Sequence, residues 1–298
     1  MRAVEPVRRG HVDRDGVRIQ FEVFGSGEPT IFLLMPNVIT QARAWKAQVP
    51  FLARRWRVVT ADPRGNGGSD RPTDPAAYAV RELVEDAWAV LDEVGAAPAV
   101  LCGVCSGAAL ALVMAAEQPH RVLGVVAINP SLALTPPHPW RVQYDFEAEL
   151  DSDEGWARQN RHYWLRDWPG FAQFFFEQLF PEPHSTKQIE DCVGWATEST
   201  AEVMLADAAA SLSGYGRPEA ARRVCAAVRC PVLVITGTED RCQVPDRGRI
   251  VADLTGAEHV VMEGAGHLPM ARDPVVVNLL IRDFVTRAVS TSPALRPS

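Results

Sequence analysis

Gly103-Val104-Cys105-Ser106-Gly107 is the stretch from which the rest of the chain can be read. It closes an apolar run that begins at Ala99 and opens an Ala/Leu-rich one, Ala108-Ala-Leu-Ala-Leu-Val-Met-Ala-Ala116. A strand turning sharply into a helix needs small residues on both sides of the turn, because the two backbones pass close together. Cys105 then stands at the apex, at the helix N-terminus, where the helix dipole favours a thiolate over a thiol. An ordinary tight turn has the same five residue types, so the neighbouring elements have to decide.

Working outward, Val17-Arg-Ile-Gln-Phe-Glu-Val-Phe24 alternates as a half-exposed strand does, and residues 10–15 pair with it across a turn at Asp15-Gly16. Residues 30–35 and 56–61 are continuous apolar runs, the pattern of strands buried on both faces. Residues 42–54 read as a helix. A longer helix starts at Pro75, with Val80, Leu83, Val84, Ala87, Trp88, Leu91 and Val94 on one face and Gly95 as its stop. Residues 99–103 form the strand entering the turn, 106–118 the helix leaving it, and 122–129 the next strand. The alternation resumes late, with strands at 231–237 and 259–262 and helices at 245–254 and 274–289. Alternating strands and helices imply a mostly parallel sheet covered on both faces.

Between these halves the rhythm stops. Residues 131–218 carry helical signals only, including Ser185-Thr-Lys-Gln188 and Ser199-Thr-Ala-Glu202, both with capping-box spacing. Fourteen of the chain's 23 aromatic residues lie there, which predicts a helical cap with an apolar underside. The same segment holds fourteen acidic against six basic residues, so most of the net charge of −7 sits on it. A nucleic-acid partner calls for a basic face instead. The chain of 298 residues, 47% hydrophobic and 22% charged, has the composition of a soluble globular protein. No apolar run approaches the roughly 20 residues of a membrane span, and no apolar signal follows the N-terminal charges. Cysteines 102, 105, 192, 225, 230 and 242 lack zinc-site spacing, which predicts reduced thiols, a cytoplasmic setting, and neither metal nor cofactor.

Three more motifs fall at predicted strand ends, where open α/β sheets bind ligands. They are Met35-Pro36-Asn37-Val38, Gly237-Thr-Glu-Asp240 ahead of Pro245, and Gly264-Ala-Gly266-His267-Leu-Pro269. With the elbow they resemble the α/β-hydrolase fold in the order nucleophile, acid, histidine. The resemblance runs from the opening hairpin to the last helix, and Asp62-Pro-Arg-Gly-Asn-Gly-Gly-Ser-Asp70 is similar to the family's D-x-R-G-x-G-x-S-D loop. Most relatives carry Ser at the centre of the elbow; this chain carries Cys.

The resemblance implies an eight-stranded α/β-hydrolase core from residues 1–130 and 219–298, with 131–218 inserted as the cap. It implies a Cys105, His267, Asp240 triad, with Glu239 as the competing acid. Asn129, after the sixth strand, has no carboxylate to offer. The oxyanion donors by family position are the backbone N–H groups of Ser106 and Val38, with Pro36-Asn37 where many relatives have His-Gly. Arg64 is read as tying loops together, and Cys102 and Cys242 as ordinary packing. Asn37, Tyr163 and Trp164 are candidates for contacting substrate. The expected chemistry is cleavage of an ester, lactone or thioester of a partly apolar small molecule through an acyl-thioester. Transfer of the acyl group to an alcohol, amine or thiol is the alternative, and a non-catalytic binding protein on the same fold is a third reading. The expected partner is a small molecule with an acyl group, not nucleic acid or membrane.

Overall fold

The computed structural model of the chain describes residues 4–35, 38–210 and 216–291. Eight strands make one sheet: β1 (Arg8–Arg14), β2 (Val17–Phe24), β3 (Thr30–Leu34), β4 (Arg57–Ala61), β5 (Ala99–Val104), β6 (Val122–Ile128), β7 (Val232–Gly237) and β8 (Glu258–Met262), in spatial order β1-β2-β4-β3-β5-β6-β7-β8. The pairs β1/β2 and β2/β4 are antiparallel, and all others are parallel. The hairpin turns on Asp15 at φ 52° and Gly16 at φ 83°, the two left-handed residues that a tight two-residue turn requires. Every residue of β3, β5, β6 and β7 is buried. Their uninterrupted apolar runs follow from that, since both faces of these strands meet helices.

The helices are α1 (Val49–Leu52), α2 (Val80–Glu93), α3 (Ser106–Glu117), α4 (Arg161–Arg166), α5 (Trp168–Leu179), α6 (Thr186–Ala196), α7 (Ala201–Ala210), α8 (Pro218–Ala227), α9 (Asp246–Thr255), α10 (Pro269–Arg272) and α11 (Pro274–Thr291). One apolar cluster joins the sheet to α1 and α11 through Leu52, Ile281 and Phe284. The other joins it to α2, α3, α8 and α9 through Trp88, Leu112, Val224 and Val251. Among the described residues no helix is long and apolar enough to cross a membrane.

Two helices predicted as continuous are broken. Residues 42–54 form a short turn, Ala42–Trp45, and then α1, because Pro50 has no N–H to continue the ladder. The helix expected from Pro75 is a turn, Pro75–Tyr78, separated from α2 by Ala79 at ψ 142°. Buried Tyr78 donates to the Pro72 carbonyl at 2.7 Å, which fixes that break.

Residues 131–218 contain α4 to α7 and no strand among the described residues. The capping boxes mark the right places with the wrong chemistry. Helix α6 does begin after Ser185, but the Ser185 backbone (φ −94°, ψ 10°) is not that of a capping residue, and its hydroxyl donates to the Glu182 carbonyl at 2.8 Å. Ser199 likewise donates to the Gly65 carbonyl at 2.6 Å, leaving Thr200 to accept the Val203 N–H. Both serines tie loops down instead of starting helices.

The loop from Asp62 to Asp70 is a knot of buried polar groups. Arg64, 3% exposed, donates twice to Asp86 of α2, at 2.6 Å each, and to the Ala77 carbonyl at 2.5 Å. The Asn66 amide donates to the carbonyls of Val38 at 2.6 Å and Trp195 at 3.0 Å. Gly67 sits at φ 57°, and a Cβ there would lie 2.3 Å from the Asp62 carboxylate, so no other residue fits.

Candidate active site

The elbow is a junction of strand and helix at contact distance. A Cβ on Gly103 would come within 2.3 Å of the Gly107 carbonyl oxygen, and one on Gly107 within 2.7 Å of that of Leu34. Cys105 between them adopts φ 54° and ψ −121°, a conformation that side chains avoid. Its carbonyl accepts the N–H groups of Ala108 and Ala109, both at 3.1 Å, and of Ser131 at 3.2 Å. The first turn of α3 and the end of β6 therefore hold the strained residue from both sides.

The acid loop follows β7. Asp240, 2% exposed, accepts the N–H groups of Cys242 at 2.7 Å and Gln243 at 2.8 Å on Oδ1, and binds Nδ1 of His267 at 2.7 Å through Oδ2. Glu239 next to it is exposed, so the buried partner of the imidazole is Asp240. His267 is 1% exposed, and its backbone N–H donates to the Leu179 carbonyl at the end of α5. Asn129, at φ 42°, gathers the strand ends: its Oδ1 accepts the Gly237 N–H at 3.1 Å, and its Nδ2 donates to the carbonyls of His267 at 2.9 Å and Gly266 at 3.3 Å.

A second thiol enters this site. One donor atom each of Cys105, Cys242 and His267 lies within 4.8 Å of the other two. Sequence spacing assigns Cys242 to packing and predicts no metal site, yet the structure gathers two sulfurs and an imidazole, a set suited to soft divalent ions. Gln243 Nε2 points at both sulfurs, 3.8 Å from Cys105 and 3.5 Å from Cys242. No spacing rule relates residue 242 to residue 105. The contact exists because Asp240 Oδ1 accepts the N–H groups of Cys242 and Gln243, which folds the chain after Arg241 back towards the carboxylate.

The charges follow from these contacts. Burial alone disfavours the imidazolium, but the Asp240 carboxylate and the Cys242 sulfur outweigh it and carry His267 up to about 10. The Cys105 thiol moves below its ordinary range. The hydrogen bond from Cys242 is the main cause, opposed by burial and the Asp240 charge and reinforced by the Ser106 N–H. Cys242 is held protonated, well above its ordinary range, by that same bond and by burial. These contacts favour ionisation at Cys105, the neutral thiol at Cys242 and the charged ring at His267.

The other expected residues are placed as follows. The Ser106 N–H reaches the Cys105 sulfur. Val38 is fully buried and its carbonyl is fixed by Asn66. Asn37 lies outside the described residues, as does Pro36. Trp164, buried among Phe146, Trp168 and Phe171, walls a cavity of about 500 Å³ together with Phe146, Trp156, Gln159 and Met204. Tyr163 does not line that cavity; it is buried beside it, with its hydroxyl 3.3 Å from the Asp167 carboxylate. Cys102 is buried in β5, where burial pushes its thiol above the range in which it ionises.

Both the sheet order and the elbow are those of one family, and the chain belongs to it: the profile of the α/β hydrolase fold matches residues 39–274. The chain is 22% identical over 276 residues to the 3-oxoadipate enol-lactonase 2 of Acinetobacter baylyi, covering 91% of this chain and 94% of that one. It is 25% identical over 312 aligned positions to epoxide hydrolase A of Mycobacterium tuberculosis, covering 92% and 96%. Among solved structures it superposes on Est816, described as an N-acyl homoserine lactone degrading enzyme, with a TM-score of 0.75 and 25% identity over 92% of this chain and all of that one.

Proposed function

We propose that the chain is a cysteine-nucleophile hydrolase that opens an ester or lactone of a small molecule through an acyl-thioester on Cys105. The observation that carries the reading is the strained cysteine at the N-terminus of α3, with its sulfur within 4.8 Å of an imidazole nitrogen of His267, whose Nδ1 is held by a buried carboxylate. The names of the relatives, a lactonase and a lactone-degrading enzyme, support the substrate class.

The thiolate of Cys105 adds to the substrate carbonyl carbon, and the carbonyl oxygen becomes an oxyanion held by the N–H groups of Ser106 and Val38. Collapse breaks the bond to the leaving oxygen, which takes the proton of the His267 imidazolium. The neutral imidazole then accepts a proton from water as the hydroxide adds to the thioester. The second collapse releases the acid, with the thiolate and the imidazolium restored. Asp240 keeps the Nδ1 proton in place and stabilises the charged ring. Residues 131–218 act as a lid, with Trp164 in the wall against which the apolar part of the substrate rests. Trp164→Phe then shifts selectivity across acyl chains of graded size.

Intact-protein mass spectrometry with an activated ester tests the reading. One acyl adduct is expected, mapping to Cys105 and absent in Cys105→Ala; an adduct on Ser106 or Cys242 overturns the assignment. Absence of any adduct returns the chain to a binding protein. Amide as the main product with an amine competing against water makes it an acyltransferase.

A further inference from the structure

Two half-buried arginines act on the thiols, and among the described residues neither makes a direct ion pair with a carboxylate. Arg247 on α9 donates Nη1 to Gln243 Oε1, and the amide nitrogen of the same Gln243 donates to the Cys105 sulfur. Its other bonds are to Thr135, with Nη2 on the carbonyl at 3.0 Å and Nε on the hydroxyl at 3.2 Å. Arg141, at the start of the helical segment, lies 3.7 Å from the centre of the Trp156 ring and donates to Gln159. Trp156 and Gln159 both wall the cavity beside Trp164. Both guanidinium charges act on the sulfurs of Cys105 and Cys242; Arg247 also feels the Asp240 carboxylate and is opposed by Arg141. Desolvated cations that repel one another are costly unless an anion joins them. Their hydrogen bonds run to neutral groups, which fix the side chains, and the carboxylate that acts on Arg247, Asp240, is already bound to His267.

We propose that Arg141 and Arg247 form an anion-binding subsite, and that the substrate of Cys105 carries a carboxylate close to its reacting carbonyl. A guanidinium suits that group because its N–H fork matches a carboxylate. One carboxylate fits two arginines, whereas a polyanion also meets the acidic surface of residues 131–218, fourteen acidic against six basic. The inference rests on the thioester reading for its chemistry and on the arginines for its specificity, and the experiment separates the two.

Two matched pairs of probes differ chiefly in charge: iodoacetate against iodoacetamide, and the p-nitrophenyl ester of glutaric acid against that of its monomethyl ester, each rate being taken relative to that of the same probe with free glutathione. Modification of Cys105 is followed by peptide mass spectrometry. In the parent protein the acid member of each pair is expected to react about tenfold faster than its neutral partner, the scale of a favourable desolvated charge contact. Salt lowers the preference. Arg247→Gln and Arg141→Gln each reduce the ratio, and Arg247→Lys retains part of it. A ratio near one in the parent, or one that survives both Gln variants, overturns the subsite, and the parent measurement stands even if a variant misfolds. If Cys105 is alkylated but takes up neither acyl group, the thioester reading fails while the haloacid pair still decides for or against the arginines.

Discussion

Replacing Cys242 with Ala removes the group that chiefly lowers the ionisation of Cys105. A hydrogen bond to a charged acceptor is worth about 1.5–3 kcal/mol. A thiol is a weak donor, which places this one near the bottom of that range. At about 1.4 kcal/mol per unit, the Cys105 pKa is expected to rise by about one unit. The Ser106 N–H and the Gln243 amide stay in place, so the thiolate loses part of its support and not all of it. Alkylation of Cys105 by iodoacetamide, followed across pH by peptide mass spectrometry, gives that pKa directly. Below it, the variant reacts about tenfold more slowly at a given pH. Cys242→Ser supplies the control, because a hydroxyl keeps the donor and the pKa stays low. An unchanged or lower pKa in Cys242→Ala refutes the reasoning and assigns the low thiol to the helix terminus alone.

The imidazolium of His267, raised to about 10, contributes stability in full below the unfolded pKa of about 6.5 and loses it as pH climbs through 10. The midpoint of chemical denaturation should therefore fall between pH 7 and 10 in the parent and fall less in His267→Gln. Arg64→Ala leaves the buried Asp86 with Arg14 alone, 3.6 Å away, and should cost about 3 kcal/mol in urea unfolding, the low end for a broken buried pair; a loss below about 1 kcal/mol means that Arg14 or water replaces the guanidinium. Gly103→Ala places a methyl 2.3 Å from the Gly107 carbonyl oxygen, and overpacking of that kind should cost about 1–3 kcal/mol, with thiol reactivity reduced as the elbow opens. Zinc or cadmium should block Cys105 by seating on the two thiols and the imidazole, with recovery on adding a chelator; equal inhibition of Cys242→Ala places the ion elsewhere.

The mostly parallel sheet and the elbow were legible because each leaves a local mark: unbroken apolar runs in β3, β5, β6 and β7, and paired glycines at the turn. Asp240 and His267 were legible from short motifs at strand ends, and the buried imidazole–carboxylate contact pairs them. What escaped is whatever depends on tertiary contact. Pro50 and Tyr78 broke two predicted helices, and Ser185 and Ser199 spent their hydroxyls on distant carbonyls. Cys242 and Gln243 reach the Cys105 sulfur through side chains whose direction no periodicity encodes. The Asp240-x-Cys-Gln243 run was the one local hint, since a carboxylate that accepts the N–H groups two and three residues on turns those residues back towards it.

The amide of Asn129 restricts which neighbouring sequences evolution can reach from this one. Its nitrogen gives two hydrogens to the carbonyls behind His267, while its oxygen takes one from Gly237. A carboxylate at that position would meet two carbonyl oxygens with lone pairs only, and a hydroxyl is too short to span three backbones. A single exchange of Asn129 for Asp therefore breaks two of the bonds that join the ends of β6 and β7 to the His267 loop. Any lineage making that move has first to rebuild the loop that carries the histidine.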